Sequence, residues 1–234
     1  MRQFRFLLLF IYVLTPLMTS CSTTKRADIS LGIQQSYRAS SLDSKDPFAS
    51  VKSSTIILDA GHGGTDEGAK VSAFQEKKIA LTTTLLTKKH LEEMGYRVIL
   101  TRSRDMYVPL PRRVSIANKT QAALFVSLHY NASKNHTAKG IEIFYHDSSE
   151  ILRTRASRRL ASCILPFLID QTEALSRGVK QGNFYVIRET QMPAVLIEGG
   201  FMTNFEERSL LKDKEYLDKI AKGVALGIDK YLKS

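Results

Sequence analysis

The stretch Thr55-Ile56-Ile57-Leu58-Asp59-Ala60-Gly61-His62-Gly63-Gly64 sets the architecture. It opens on a short β-branched, apolar run, the composition of a strand buried on both faces. It then breaks into glycines that let the backbone turn sharply and leave room around a histidine. The same succession, a buried run followed at once by polar side chains, recurs at Leu124-Phe125-Val126-Ser127-Leu128-His129-Tyr130-Asn131 and at Ala194-Val195-Leu196-Ile197-Glu198-Gly199-Gly200-Phe201. Outward from these, the pattern predicts strands over 55–59, 97–101, 124–128, 140–146, 184–188 and 194–198. Helices are expected between them over 76–94, 110–119, 150–171 and 214–232. In the first of these, Leu81 and Leu85 stand at i,i+4 and Ile79 and Leu86 at i,i+7, and Gly95 closes it. Alternation of this kind predicts a single α/β domain, a twisted and mostly parallel sheet of about six strands with helices on both faces. The chain carries no internal repeat.

In an open α/β sheet, ligands gather beyond the carboxyl ends of the strands. His62, His129 and Glu198 are therefore delivered to one rim, and Glu76, at the start of the first helix, can point back to it. Two imidazoles and one carboxylate form the donor set of many catalytic zinc sites, with a fourth position left for water. A second carboxylate is then needed to move the proton. With Glu76 and Glu198 both available, either can be the ligand and the other the base. His90, His136 and His146 read as ordinary hydrogen-bonded histidines.

Composition and charge bound the setting. The 234 residues are 43% hydrophobic and 24% charged, which excludes collagen-like, coiled-coil and wholly disordered classes, and two cysteines exclude a disulfide scaffold. A net charge of +11 implies an acidic partner: nucleic acid, an anionic membrane or an anionic glycan. Arg2 and Arg5 flank an apolar run, residues 6–17, too short to cross a bilayer but suited to a signal peptide. The run ends in Leu17-Met18-Thr19-Ser20-Cys21, which resembles the lipobox of bacterial lipoproteins, with Cys21 as the acylated first residue of the mature chain. Residues 1–20 are thus expected to be signal, 21–53 a polar tether, and 54–234 the folded domain. Removing Arg2 and Arg5 takes only two from the charge, so the basicity belongs to the mature chain. Cys163, between Leu160 and Ile164, reads as a buried structural thiol. The cluster Arg153, Arg155, Arg158 and Arg159 reads as a solvated helix face, with stem carboxylates or lipid phosphates as the partners it would meet.

At these residues the sequence resembles the zinc-dependent N-acetylmuramoyl-L-alanine amidases of the amidase-3 family. The blocks Asp59-Ala60-Gly61-His62-Gly63-Gly64, Glu76, Thr101-Arg102, Ser127-Leu128-His129-Tyr130-Asn131-Ala132, Gly140-Ile141-Glu142 and Pro193 to Phe201 stand in the family's order from Thr55 to Leu232. Ala60 and Ala80 depart from the residues many members carry. The resemblance implies one zinc ion per domain bound by His62, Glu76 and His129, with Glu198 as the catalytic carboxylate. It implies hydrolysis of the amide between N-acetylmuramic acid and L-alanine of peptidoglycan. Arg102, Arg113 and Asn131 are expected near the rim as substrate contacts, with a solvated or structural role as the alternative. The implied setting is the periplasmic side of the bacterial envelope, with a lipid anchor and, in a Gram-negative cell, the outer membrane. The implied partners are a muropeptide substrate and an envelope regulator; nucleic acid is not among them, and a monomer is expected. Two alternatives remain: a zinc peptidase or carboxypeptidase acting within the stem peptide, and a serine-type activity at Ser209 and Lys212. The Ser-x-x-Lys pattern also occurs at Ser22 to Lys25, as chance supplies in a chain rich in both residues. Some relatives carry a helical plug between the strands matching 140–146 and 194–198. Here the 150–171 helix leaves little chain for one, so an open groove is expected.

Overall fold

The computed structural model describes residues 55–234; the expected signal segment, Cys21 and the tether lie outside the described residues. Strand β1 (Thr55–Ala60) leads through a short hairpin, β2 (Lys70–Val71) and β3 (Phe74–Gln75), into α1 (Glu76–Glu93). There follow β4 (Arg97–Leu100), α2 (Leu110–Thr120), β5 (Leu124–Asn131), β6 (Ile141–Tyr145) and α3 (Ile151–Thr172). The chain ends with β7 (Ser176–Gln181), α4 (Tyr185–Glu189), β8 (Ala194–Phe201), α5 (Phe205–Leu210) and α6 (Lys214–Leu232).

The main sheet has the order β4-β1-β5-β8-β6-β7. β4, β1, β5 and β8 run parallel, β6 lies antiparallel to β8, and β7 is parallel to β6. Glu142, at the start of β6, therefore stands opposite Glu198 near the end of β8, while Tyr145 stands opposite Val195 at the other end. The sheet thus has a rim, where β1, β5 and β8 end, and a foot, where they begin.

Alternation along the central strands divides their apolar side chains between two cores. Ile56, Leu58, Val126, Leu128 and Ile197 pack with α1, α3 and α6. Ile57, Phe125, Ala194 and Leu196 pack with Ala117 of α2 and Val186 and Ile187 of α4. α6 approaches α3 through its glycines: a Cβ placed on Gly227 would lie 2.3 Å from the Ile164 Cα. The second core stops at Leu196. Beyond it the same face carries Asp59, Ser127, His129 and Glu198, which the strand register aligns. Cys163 is partly buried against the first core, less enclosed than its apolar neighbours suggest.

Residues 184–188, expected as a strand, instead form α4, and the sheet's last strand is Ser176–Gln181. The run Phe184 to Arg188 is short and apolar enough to serve either state, and periodicity cannot decide. Arg153 decides it: the guanidinium donates to the carbonyls of Ile187, Arg188 and Thr190, anchoring the turn end of α4. β7 escaped notice because an edge strand pairs on one side only and need not alternate. β5 and β8 also run further than expected, so His129 lies within its strand and Glu198 no longer ends its own. No described helix is long and apolar enough to cross a membrane.

Candidate active site

His62 sits on the loop after β1 with φ 59°, a left-handed conformation unusual for a residue with a side chain. The flanking backbone is fixed around it: Gly63 and Asp66 exchange backbone hydrogen bonds of 2.8 and 3.1 Å, and Arg113 Nη2 donates to the His62 carbonyl at 2.6 Å. The ring is oriented by Asp66, whose Oδ1 lies 2.9 Å from Nδ1, leaving Nε2 3.0 Å from Glu76 Oε1. His129 projects from β5, and its Nδ1 lies 2.9 Å from the same Glu76 oxygen. Gly61 gives that ring its space, since a Cβ there would fall 2.4 Å from His129 Cε1. The two rings meet edge to face with centroids 4.9 Å apart.

Glu76 opens α1 and reaches back as the sequence suggested. Besides the two imidazoles, it accepts from the backbone N–H groups of Ala69 at 2.8 Å and Tyr130 at 3.1 Å. Burial opposes its charge, but hydrogen bonds from His129 and His62 and their charges hold the carboxyl far below its ordinary range. His62 is shifted the other way: burial disfavours its cation, and the carboxylates of Glu76 and Asp66 outweigh that and raise it. The donor atoms of His62, Glu76 and His129 all lie within 4.8 Å of one another. Tetrahedral zinc with bonds of about 2.0–2.1 Å separates its ligand atoms by about 3.3 Å, close to the 2.9 and 3.0 Å found here. Two nitrogens and one oxygen converging on one point, with the rings still 23% and 18% exposed, fit that ion and leave a side open.

Glu198 stands beside the triad, opposite His129 in the register. Its Oε2 is sealed from solvent and has no hydrogen-bond partner among the described residues. Burial pushes this carboxyl well above its ordinary range, and the charges of Glu76 and Glu142 push it the same way. A carboxyl whose affinity for a proton is raised in this way is suited to exchanging one with a substrate. Two cavities flank the triad and share His62, His129, Phe184 and Leu196 as walls. One, of about 320 Å³, runs along Tyr107, Val108, Leu110 and Tyr185; the other, of about 310 Å³, along Tyr130, Asn131 and Glu198.

The three expected substrate contacts all have partners within the domain, and Arg113 and Asn131 also line the two cavities. Arg102 is 2% exposed and donates to the carbonyls of Ala60, Gly61, Lys77 and Arg104. Arg113, equally buried, binds Asp59 Oδ1 at 2.7 Å and the carbonyls of Ala60, His62 and Val108. Both guanidinium groups are thus spent on holding the β1 loop, although Arg113 also forms part of a cavity wall. Asn131 donates to Glu142 at 2.7 Å, and Glu142 is held from the other side by Arg177 at 2.8 Å and Lys180 at 2.5 Å. Asp66, Asp59 and the Glu142 cluster were missed as supporting residues. Asp66 was signalled by its i,i+4 spacing from His62. His90, His136 and His146 bond Asp218, the Thr203 carbonyl and the Gly182 carbonyl, away from the triad. Ser209 donates to the Phe205 carbonyl while the Lys212 ammonium lies over the Phe74 ring, so that pair is not engaged as a nucleophile and base. The helix expected over 150–171, α3, packs with α6 in the core on the face opposite Glu198 and His129.

Fold and site together define an α/β hydrolytic enzyme with a metal-type donor triad and an independent buried carboxylate at one open rim. The chain belongs to the amidase-3 family, N-acetylmuramoyl-L-alanine amidases, whose pattern matches residues 56–230. The N-acetylmuramoyl-L-alanine amidase LytC of Bacillus subtilis (strain 168) is 37% identical over 177 residues, which are 76% of this chain and 35% of LytC. The catalytic domain of CwlV, an amidase from Bacillus (Paenibacillus) polymyxa var. colistinus, superposes with a TM-score of 0.71 at 37% identity, covering 76% of this chain and 98% of that one. The CwlD amidase of Clostridioides difficile, solved in complex with the GerS lipoprotein, superposes at 0.72 with 35% identity, covering 76% and 98%.

Proposed function

We propose that the domain hydrolyses the amide joining the lactyl group of N-acetylmuramic acid to L-alanine in peptidoglycan, with zinc held by His62, Glu76 and His129. The observation that carries this reading is Glu76 Oε1 lying within 3.0 Å of both imidazoles while Glu198, unpartnered, stands beside them. Zinc bound there would polarise the amide carbonyl and bring the acidity of a water toward neutrality. The chain supplies the rest. Asp66 and the Gly61 opening fix the two rings, so little reorganisation is needed when substrate enters. Glu198 takes the proton from the attacking water and returns it to the departing L-alanine nitrogen. The cavities on either side of the triad accommodate the two substrate halves flanking the scissile bond.

The mass of muropeptide products tests this directly. Free stem peptides beginning at L-alanine, with intact glycan, are expected; fragments cut inside the stem would establish the peptidase alternative instead. Metal analysis of the same preparation should return one zinc per chain, lost in His129→Ala. Export and acylation at Cys21, with the domain on the periplasmic side of the envelope, belong to the same proposal and rest on the amino-terminal sequence. Palmitate labelling that disappears in Cys21→Ala would support them. Because the region between β6 and β8 is taken up by α3, β7 and α4, the domain is proposed to cut muropeptides without removal of a plug. An envelope regulator would then act on position.

A further inference from the structure

The end of the domain opposite the catalytic rim carries a surface that the hydrolytic reading does not use. β6 runs against β8, so α3 begins at the foot of the sheet, near Tyr145 and Val195. The first turn of α3 has no acidic residue and no side-chain cap, and it exposes Ile151 by 62% and Leu152 by 49%. One and two turns on, Arg155 and Arg158 are exposed on the same helix face as Ile151, at i+4 and i+7. Neither makes an ion pair or hydrogen bond to the described residues. The carboxyl end of α6 lies alongside: Arg159 Nη1 reaches Ser234 Oγ at 2.6 Å and its guanidinium covers the Tyr231 ring at 4.2 Å. That end adds exposed Lys230 and Lys233. The acids nearest in sequence are Glu150 and Asp229, and Asp229 is already held by Lys233 and Tyr96.

Exposed isoleucine and leucine cost hydration, and two arginines without a counter-charge stand close behind them, so this arrangement gains nothing for the domain alone. Both features become favourable against an anionic lipid surface, where the apolar tip enters the headgroup boundary and the arginines a turn or two behind it meet phosphate. A soluble polyanion would meet the arginines but would gain nothing from Ile151 and Leu152. The chain itself enters the domain at Thr55, the first residue of β1, which is also at the foot.

We propose that the foot of the domain, through Ile151, Leu152, Arg155 and Arg158 of α3 with Lys230 of α6, docks on an anionic membrane surface and turns the catalytic rim away from it. Attachment of the preceding chain at this end and docking through this surface act in the same direction.

Residues 55–234 suffice for the test, because the solved CwlV catalytic domain shows that a domain of matching extent stands alone. The chain contains no tryptophan, so single reporters read cleanly. With vesicles of phosphatidylglycerol and phosphatidylcholine, Ile151→Trp is expected to shift its emission to the blue and to be quenched by brominated lipid. Phe205→Trp, at the rim just after β8, is expected to do neither. Binding should vanish on pure phosphatidylcholine. It should fall at least tenfold in Arg155→Glu/Arg158→Glu and clearly in Ile151→Ser/Leu152→Ser, with muropeptide cleavage in solution unchanged in both. Unchanged cleavage also establishes that the variants fold. The proposal is overturned if the unsubstituted domain stays free of anionic vesicles, or if Phe205→Trp responds like Ile151→Trp. It is equally overturned if the serine variant binds as the unsubstituted domain does, which would make the surface a general polyanion site.

Discussion

Among single residues, Glu198 and Glu76 show how environment divides two identical side chains. Glu76 is surrounded by donors, which fixes it as an anion and suits it to a cation; Glu198 has an oxygen with no donor at all, which suits it to carry a proton. Glu198→Gln is accordingly expected to retain stoichiometric metal while turnover falls by about 100-fold or more, measured by metal analysis beside a muropeptide assay. Loss of the metal instead would exchange the roles of the two glutamates. Asp59 is a structural counterpart. Burial would raise its carboxyl, but Arg113 and hydrogen bonds from Thr101 and Ser127 outweigh that and hold it below the ordinary range. A depressed carboxyl contributes stability that is complete above an unfolded value of about 4 and fades as pH falls through the lower folded value. Thermal melts should therefore show a decline in melting temperature that sets in below about pH 4. In Asp59→Asn that decline should flatten, while stability at neutral pH drops by roughly 3–5 kcal/mol because Arg113 is left buried without its counter-charge. The sequence made His62, His129 and Glu198 legible because each ends or follows a buried run, and Glu76 because it opens a helix facing the same rim; which glutamate is the ligand came only from the family resemblance. The sequence left Arg102, Arg113 and Asn131 open between substrate and structure, because a polar residue near the rim looks the same whether it faces substrate or carbonyls.

For elements, the informative contact is between α3 and α6. Their axes come close only because Gly223 and Gly227 present no side chain, one i,i+4 step apart, to Leu168 and Ile164. Gly227→Leu is expected to force the helices apart and destabilise the domain by about 1–3 kcal/mol or more, read from chemical denaturation, with the denaturant slope unchanged if unfolding stays two-state. The long helices and the three central strands were readable because their periodicity runs over several turns or is apolar on both faces. α4 and β7 were exchanged because their identity depends on partners far away in sequence: Arg153 for the one, a single-sided pairing with β6 for the other. The hairpin of β2 and β3 and the short α5 have too few residues for any period to register.

The whole molecule separates a stable body from a metal-dependent rim. Both cores lie below the triad, and Glu76 is tied to two backbone N–H groups as well as to the two imidazoles. A chelator should therefore abolish cleavage and lower the melting temperature by the linkage due to one lost ligand, while far-ultraviolet circular dichroism at 25 °C stays unchanged and added zinc restores activity. Collapse of the dichroism would mean that the ion is part of the fold. The strand order carries a different lesson, about time. β8 lies between β5 and β6, yet it is the last strand to be synthesised. Until residue 201 has left the ribosome, the sheet exists as two disconnected pieces with raw edges, and the carboxylate that moves the proton has no place to stand. A chain that ends before β8 lacks both Glu198 and the strand that joins the two parts of the sheet, so a truncated product cannot carry the complete site.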